Sequence, residues 1–348
     1  MRVFGSSLVV TASAAIILSA EGGSLPPLAD RKPIQVLVEA ACVVAKADLY
    51  RGFPGEGLEV IEAILPLGAR SDATLLDRTR LAIARGELEH YRASLAGASE
   101  EKAIQLLRAA LATAEASRHE PAIADAADLL GLVLYSEAFE TGDFVAPVEH
   151  LERALAIRRR VADRRGIAET LFHIGLVHQN RSGATAADRN RALDLYREAL
   201  PIARDGGFEV EESYLERHIA AEEELRGDLD AALAGFSRSA SLRRKAKYQI
   251  YLAPAFLALG EVHLARGEKK EADSSYREAL AAATETRAAR FVVQSHLALA
   301  RLADKDGDRK TASAEANSAL EAARASGYGD GIKDAAALVE ELARRSVR

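Results

Sequence analysis

Residues 259–280 read LGEVHLARGEKKEADSSYREAL. A small residue, Gly260, is followed seven positions on by Gly267, and then by Ala272, Tyr276 and Ala279. The same grammar occurs in IAAEEELRGDLDAALAGFSRSA (219–240), as Ala220, Gly227, Ala232, Phe236 and Ser239. It occurs again in LARLADKDGDRKTASAEANSAL (299–320), as Ala300, Gly307, Ala312, Ala316 and Ala319. The anchors Ala220, Gly260 and Ala300 stand 40 residues apart, the mark of an internal repeat.

Each position has a physical meaning. The first small residue sits in mid-helix, where a partner helix crosses closely. The Gly ends that helix, because it takes left-handed backbone angles with no Cβ penalty. The Ala opens a second helix at another tight crossing, and the aromatic fills the space between the two. Neither helix can bury its apolar stripe alone, so pairs must stack on neighbouring pairs.

The grammar extends toward the N-terminus with insertions. Gly175 goes with Ala192, Tyr196 and Ala199, with the loop SGATAADRN adding length. Gly131 goes with Gly142, Leu151 and Ala154, and Pro147 is tolerable near a helix start. A weaker unit spans 75–117 and a first unit 34–67. Pro201 lies inside an expected second helix and predicts a kink or an early end. The amphipathic stretch GIKDAAALVEELARR closes the array as a cap.

On Leu259-Gly260, Gly267, Ala272, Tyr276 and Ala279 the sequence resembles the tetratricopeptide-repeat family, with repeats longer than usual, as in bacterial signalling and scaffold proteins. The resemblance covers residues 34–346. It implies an all-α, right-handed superhelical solenoid of about seven antiparallel helix pairs plus a C-terminal capping helix.

The composition fits. Hydrophobic residues make up 49% of the 348 and aromatics 5%, with no Trp, so Ala, Leu, Ile and Val must build the core. A net charge of −6 argues against a nucleic-acid partner, which requires a basic surface. The single cysteine, Cys42, precludes an intramolecular disulfide or a cysteine zinc site, and its Ala/Val-rich setting reads as a buried small hydrophobe.

The first residues carry a different signal. Arg2, the uncharged run Val3–Ala20 and the breaker-rich EGGSLPPLADRKP read as an export signal over 1–22 and a linker over 23–33. Left uncleaved, residues 1–20 would be a membrane anchor. The expected location is the periplasm or the cell surface.

No catalytic constellation stands out. His173 and His178 are five apart and point to different helix faces, and His218 with Glu222 belongs to a solvated acidic helix. His178 and His263 read as inter-helix packing residues. Asp125 and Asp128 carry no sign of apolar surroundings that would raise a pKa. Neither a phosphate-binding glycine loop nor a serine elbow is present. Hence no cofactor, metal or reaction is expected. Arg158–Arg160 and Arg243–Lys245 follow Ala154 and Ser239 at equal offsets and read as exposed cations at helix C-termini, favoured by the helix dipole, or as a basic ridge that contacts an acidic partner or lipid headgroups.

The resemblance also implies where a partner sits. In such repeats the first helix of each pair lines a concave groove, with the side chains six and three before the central small residue, and one and four after it, facing inward. Among these positions are Tyr135, Phe172, Gln179, Tyr214, Arg217, Leu257, Glu261 and Arg301. The expected function is therefore to hold a protein or peptide. The alternative is a ligand- or peptide-sensing regulatory domain that works with a separate effector. A carboxylate clamp of the kind chaperone-binding members use is not expected, since no groove position is Lys or Asn.

Overall fold

The computed structural model describes residues 32–346, so the export signal and most of the linker lie outside the described residues. Among the described residues there are fifteen α-helices, one 3-10 segment and no strand. The first pairs are α1 (Pro33–Tyr50) with α2 (Pro54–Ile64), α3 (Leu75–Ala96) with α4 (Glu101–Ser117), and α5 (Glu120–Thr141) with α6 (Val145–Arg160). Next come α7 (Arg164–Asn180) with α8 (Ala186–Gly206), and α9 (Glu209–Leu225) with α10 (Leu229–Lys245). The last are α11 (Leu252–Ala265) with α12 (Lys269–Glu285), α13 (Ala289–Lys305) with α14 (Arg309–Ser326), and the closing helix α15 (Gly329–Ser346). Each expected pair is present.

Packing divides the chain into two compact units. One comprises the chain up to Arg92 with Glu100–Ile202; the other comprises Ala93–Ser99 with the chain from Ala203 on. The sequence reads as one unbroken array, and the division falls just past Pro201. That proline does not end its helix: α8 runs through it to Gly206. Pro201 is exposed, so the carbonyl it leaves unbonded can turn to water. In the first unit α5 packs on α4, α6 and α7; in the second α11 contacts α13, and α13 contacts α15. First helices therefore stack on first helices, as a repeat requires.

Local chemistry explains the helix ends. Gly227, Gly267 and Gly307 have φ of 83°, 80° and 78°, and the next residue donates its N–H five positions back, as in Asp228 to Glu223 at 2.9 Å. Asp163, Asp228 and Asp308 then cap the following helices by accepting from Gly166, Ala231 and Thr311. Thr74 with Asp77, and Thr185 with Asp188, exchange reciprocal capping bonds that open α3 and α8. Consequently the second half of SGATAADRN is helical rather than loop. Three turns between repeats use the same geometry without glycine: Ala162, Lys247 and Arg287 sit at φ of 58°, 54° and 53°. Their pattern carries no sequence mark.

The cores are made of small residues against rings. Gly260 faces the ring of Tyr276, where an added Cβ would lie 2.3 Å from Cε1; Gly175 faces Tyr196 at 2.4 Å in the same way. Both rings are buried. Gly260→Ala should therefore destabilise the protein by about 1–3 kcal/mol, since the packed Tyr276 cannot swing away. Gly55→Ala, which meets nothing within 4 Å, should be neutral or slightly stabilising. Urea unfolding midpoints at constant slope decide between these outcomes.

Candidate functional site

The expected groove residues take different places in the two units. In the first, Tyr135 is half-buried and stands edge-on to Phe139 at 5.2 Å, its phenol pushed up to about 12 by burial. Phe172 and Gln179 do not face a groove. Phe172 is 5% exposed, stacked 5.9 Å from Tyr196, and Gln179 accepts the Tyr196 hydroxyl at 2.9 Å. The large Tyr196 ring reaches over Gly175 and draws both side chains into the helix interface. Sequence register alone could not show this.

The first unit instead builds a buried polar node on an arginine that the sequence reading placed at the surface. Arg158 is 3% exposed. From the end of α6 it donates to the Gly166 carbonyl at 2.9 Å, to Thr170 Oγ1 at 2.6 Å and to Asp125 Oδ1 at 3.1 Å. It also pairs with Asp128 (3.4 Å), Glu169 (3.2 Å) and Asp163 (3.8 Å). His173 Nδ1 meets Asp128 Oδ2 at 2.8 Å. Burial opposes charge on Asp128, but His173 and Arg158 outweigh it and hold the carboxyl down to about 2. Burial likewise opposes a proton on His173, yet Asp128 keeps that imidazole above its ordinary range. Burial pushes Asp125 up against the pull of Arg158, contrary to the sequence expectation. Its side chain is still 49% exposed, so water limits the rise.

Asp128, Glu169 and His173 place one ligand atom each within 4.8 Å of one another, a grouping that histidine spacing does not reveal. The Arg158 guanidinium already lies between the two carboxylates and supplies the positive charge a cation would bring. Nearby, Lys46 pairs with Glu87, and Arg165 donates to the Tyr50 hydroxyl at 3.0 Å, linking α1 to α7.

In the second unit two groups form. Tyr214, half-buried, shares a 2.8 Å bond with the Tyr248 hydroxyl and carries the Arg243 guanidinium 4.6 Å above its ring. Arg217 lies beside His218 at 3.3 Å. Tyr251 joins through a 6.1 Å edge contact with Tyr214 and a 6.0 Å contact with Phe291. Arg243, like Arg158, is buried rather than a surface cation, at 1% exposure. The second group comprises Glu261 and Arg301, both exposed, with half-buried Glu224. Burial and then the Glu261 charge push Glu224 above the ordinary carboxylate range. Leu257 is half-buried against Tyr276, Ala298 and Leu302.

The remaining sequence candidates are quickly placed. Cys42 is half-buried rather than fully enclosed. His263 bonds Glu268 at 2.7 Å across the Gly267 turn. A cleft of about 390 Å³ opens between α4, α5 and α6, with Leu111, Leu130 and Leu134 as its floor.

The chain has the tetratricopeptide-repeat fold: consecutive antiparallel helix pairs stacked through small residues at close crossings. It is similar to a Rap protein solved with competence and sporulation factor, at 15% identity over 96% of this chain and 92% of that one, with a TM-score of 0.60. It is also similar to the apo form of the quorum sensor NprR from B. thuringiensis, at 12% identity over 90% of each chain (TM-score 0.53). A third likeness is to a signal-transduction ATPase of Pyrococcus horikoshii that carries a tetratricopeptide-repeat sensor, at 14% identity over 83% of this chain and 43% of that one (TM-score 0.50). At such identities these likenesses establish the fold alone. No protein-family model and no curated protein matches the sequence.

The Arg158 node sets a pH dependence. Asp128, with its depressed pKa, contributes stability above about pH 4 that is lost as pH falls toward 2. His173, with its raised pKa, contributes below about pH 6.5 and loses that contribution as pH rises through its folded value. Stability from the pair is therefore full between these limits. Asp128→Asn should cost about 3 kcal/mol at pH 5.5 by leaving buried charge uncompensated. His173→Gln should flatten the decline between pH 6.5 and 8.5; an unchanged slope in chemical denaturation would place that decline elsewhere.

Proposed function

We propose that this chain is an exported scaffold that holds a peptide, or an extended segment of another protein, against its first helices, and that it is not an enzyme. One observation carries the reading: the second unit leaves Glu261 and Arg301 exposed, and Tyr214 and Arg217 half-open, at inward register positions on successive first helices. Aromatic, cationic and acidic side chains at such spacing suit side-chain recognition of an extended ligand. The presence of competence and sporulation factor in the Rap complex, and the quorum-sensor role of NprR, lend support through the shared fold. Those same proteins favour the second reading, a peptide sensor that acts on a separate effector.

Export rests on the sequence of residues 1–33. Among the described residues no helix is long and apolar enough to cross a membrane. Fusing 1–33 to a reporter active only outside the cytoplasm should give signal, and full-length protein recovered from the cytoplasm with its N-terminus intact would refute export.

Binding is tested on residues that the structure leaves exposed. The double change Glu261→Ala and Arg301→Ala should weaken retention of a peptide ligand, selected from a random library, by about 2–4 kcal/mol with an unchanged melting temperature. Arg159→Glu and Arg244→Glu, which break the exposed pairs to Glu198 and Glu278 and lift the Arg244 guanidinium from the Phe256 ring, should leave retention as it was. The reverse result would put the partner on the other face.

A further inference from the structure

Arg158 and Arg243 are one device used twice. Each stands four residues after a small residue of a second helix (Ala154, Ser239), and each donates to the carbonyl of the residue eight positions on, Gly166 or Tyr251. The two differ in what surrounds them. Arg158 meets four carboxylates: Asp125, Asp128, Asp163 and Glu169. At the matching register positions around Arg243 stand Tyr214, Arg217, Tyr248 and Pro254. Every acid of the first node has a non-acid counterpart in the second.

Arg243 is 1% exposed, and its Nε–H, like that of Arg158, is buried without an acceptor. Among the described residues no carboxylate pairs with it. A buried guanidinium stripped of its counter-ions is costly, and proteins that keep one supply an anion. The surroundings reinforce the demand. Burial, with the charges of Arg217 and Arg243, holds His218 well below its ordinary range. A second positive charge, Arg217, thus stands in the position that Asp128 occupies beside Arg158.

We propose that Arg243, with Arg217, binds a carboxylate of the peptide ligand, its C-terminus or an Asp or Glu side chain, in the place that Asp125 and Asp128 take in the first unit. Tyr214, half-exposed over the guanidinium, is the ring that turns to admit it. Tyr248, Tyr251 and Phe291 form the aromatic wall for the neighbouring residue. Guanidinium pairs with carboxylate through parallel N–H bonds, so the buried fork suits this ligand chemistry.

This inference rests on the peptide-binding reading, and the experiment separates the two. The full chain is equilibrated with three pools of random hexapeptides: free C-terminus, amidated, and amidated without Asp or Glu. Retained peptide is measured by mass spectrometry. The first pool should be retained at least tenfold better than the third, with the second in between if side-chain acids serve. Arg243→Gln should lose that preference. Arg217→Asp, which restores the carboxylate Arg158 enjoys, should also abolish it while melting no lower than the parent, so the test does not depend on the glutamine variant folding. Equal retention of all three pools, or a preference that survives Arg217→Asp, overturns the carboxylate site and leaves peptide binding standing. Retention of none overturns the peptide reading and the carboxylate site with it. Displacement of the first pool by inorganic phosphate as strongly as by N-acetylglutamate overturns the choice of carboxylate.

Discussion

The close crossing within each helix pair is the constraint on which the rest of this structure depends. A glycine or alanine in mid-helix lets the partner approach until a ring or a leucine fills the gap, as Tyr276 does over Gly260 and Leu151 over Gly131. Because the fit is between a missing side chain and a large one, it is intolerant of a single added carbon. It sets the distance between the helices, and so the register at which each pair meets the next. The side chains that could face a partner are consequences of that register.

The same crossing also consumes residues. Where the filling ring is Tyr196, its hydroxyl needs a partner in the interior, and Gln179 supplies it. Phe172 follows the ring inward. An expected groove position is thus open to solvent only when the neighbouring crossing does not bury it. In the second unit Glu261 and Arg301 stay exposed, while Leu257 joins the core around Tyr276.

Polar burial follows a second rule, visible in the two arginines. Both leave the end of a second helix, turn inward and tie the next repeat through a backbone carbonyl. An arginine held that way must be neutralised locally or by something that arrives. The first unit neutralises its own with four acids and gains a fixed joint between repeats. The second surrounds its own with tyrosines and another arginine. One repeated element can therefore serve as structure in one unit and as a binding group in the other.

Much of the fold was legible beforehand. Gly227, Gly267 and Gly307, set 40 residues apart, mark the helix ends, and the alternation of small residue and ring marks the crossings, because both depend on local backbone geometry and side-chain volume. The non-glycine turns at Ala162, Lys247 and Arg287 were not legible, since their left-handed angles are imposed by the packing of the helices they join. The candidate site was less readable still. Residue type and offset put Tyr214, Arg217, Glu261 and Arg301 forward as groove positions and the structure leaves them at least partly exposed, but the same rule also chose the buried Phe172 and Gln179 and took Arg158 and Arg243 for surface cations. By itself the sequence determined the helix pairs, their period and their order. Only the tertiary structure decided which charges are buried and with what, because burial depends on neighbours that stand tens of residues away along the chain, and no local pattern records them.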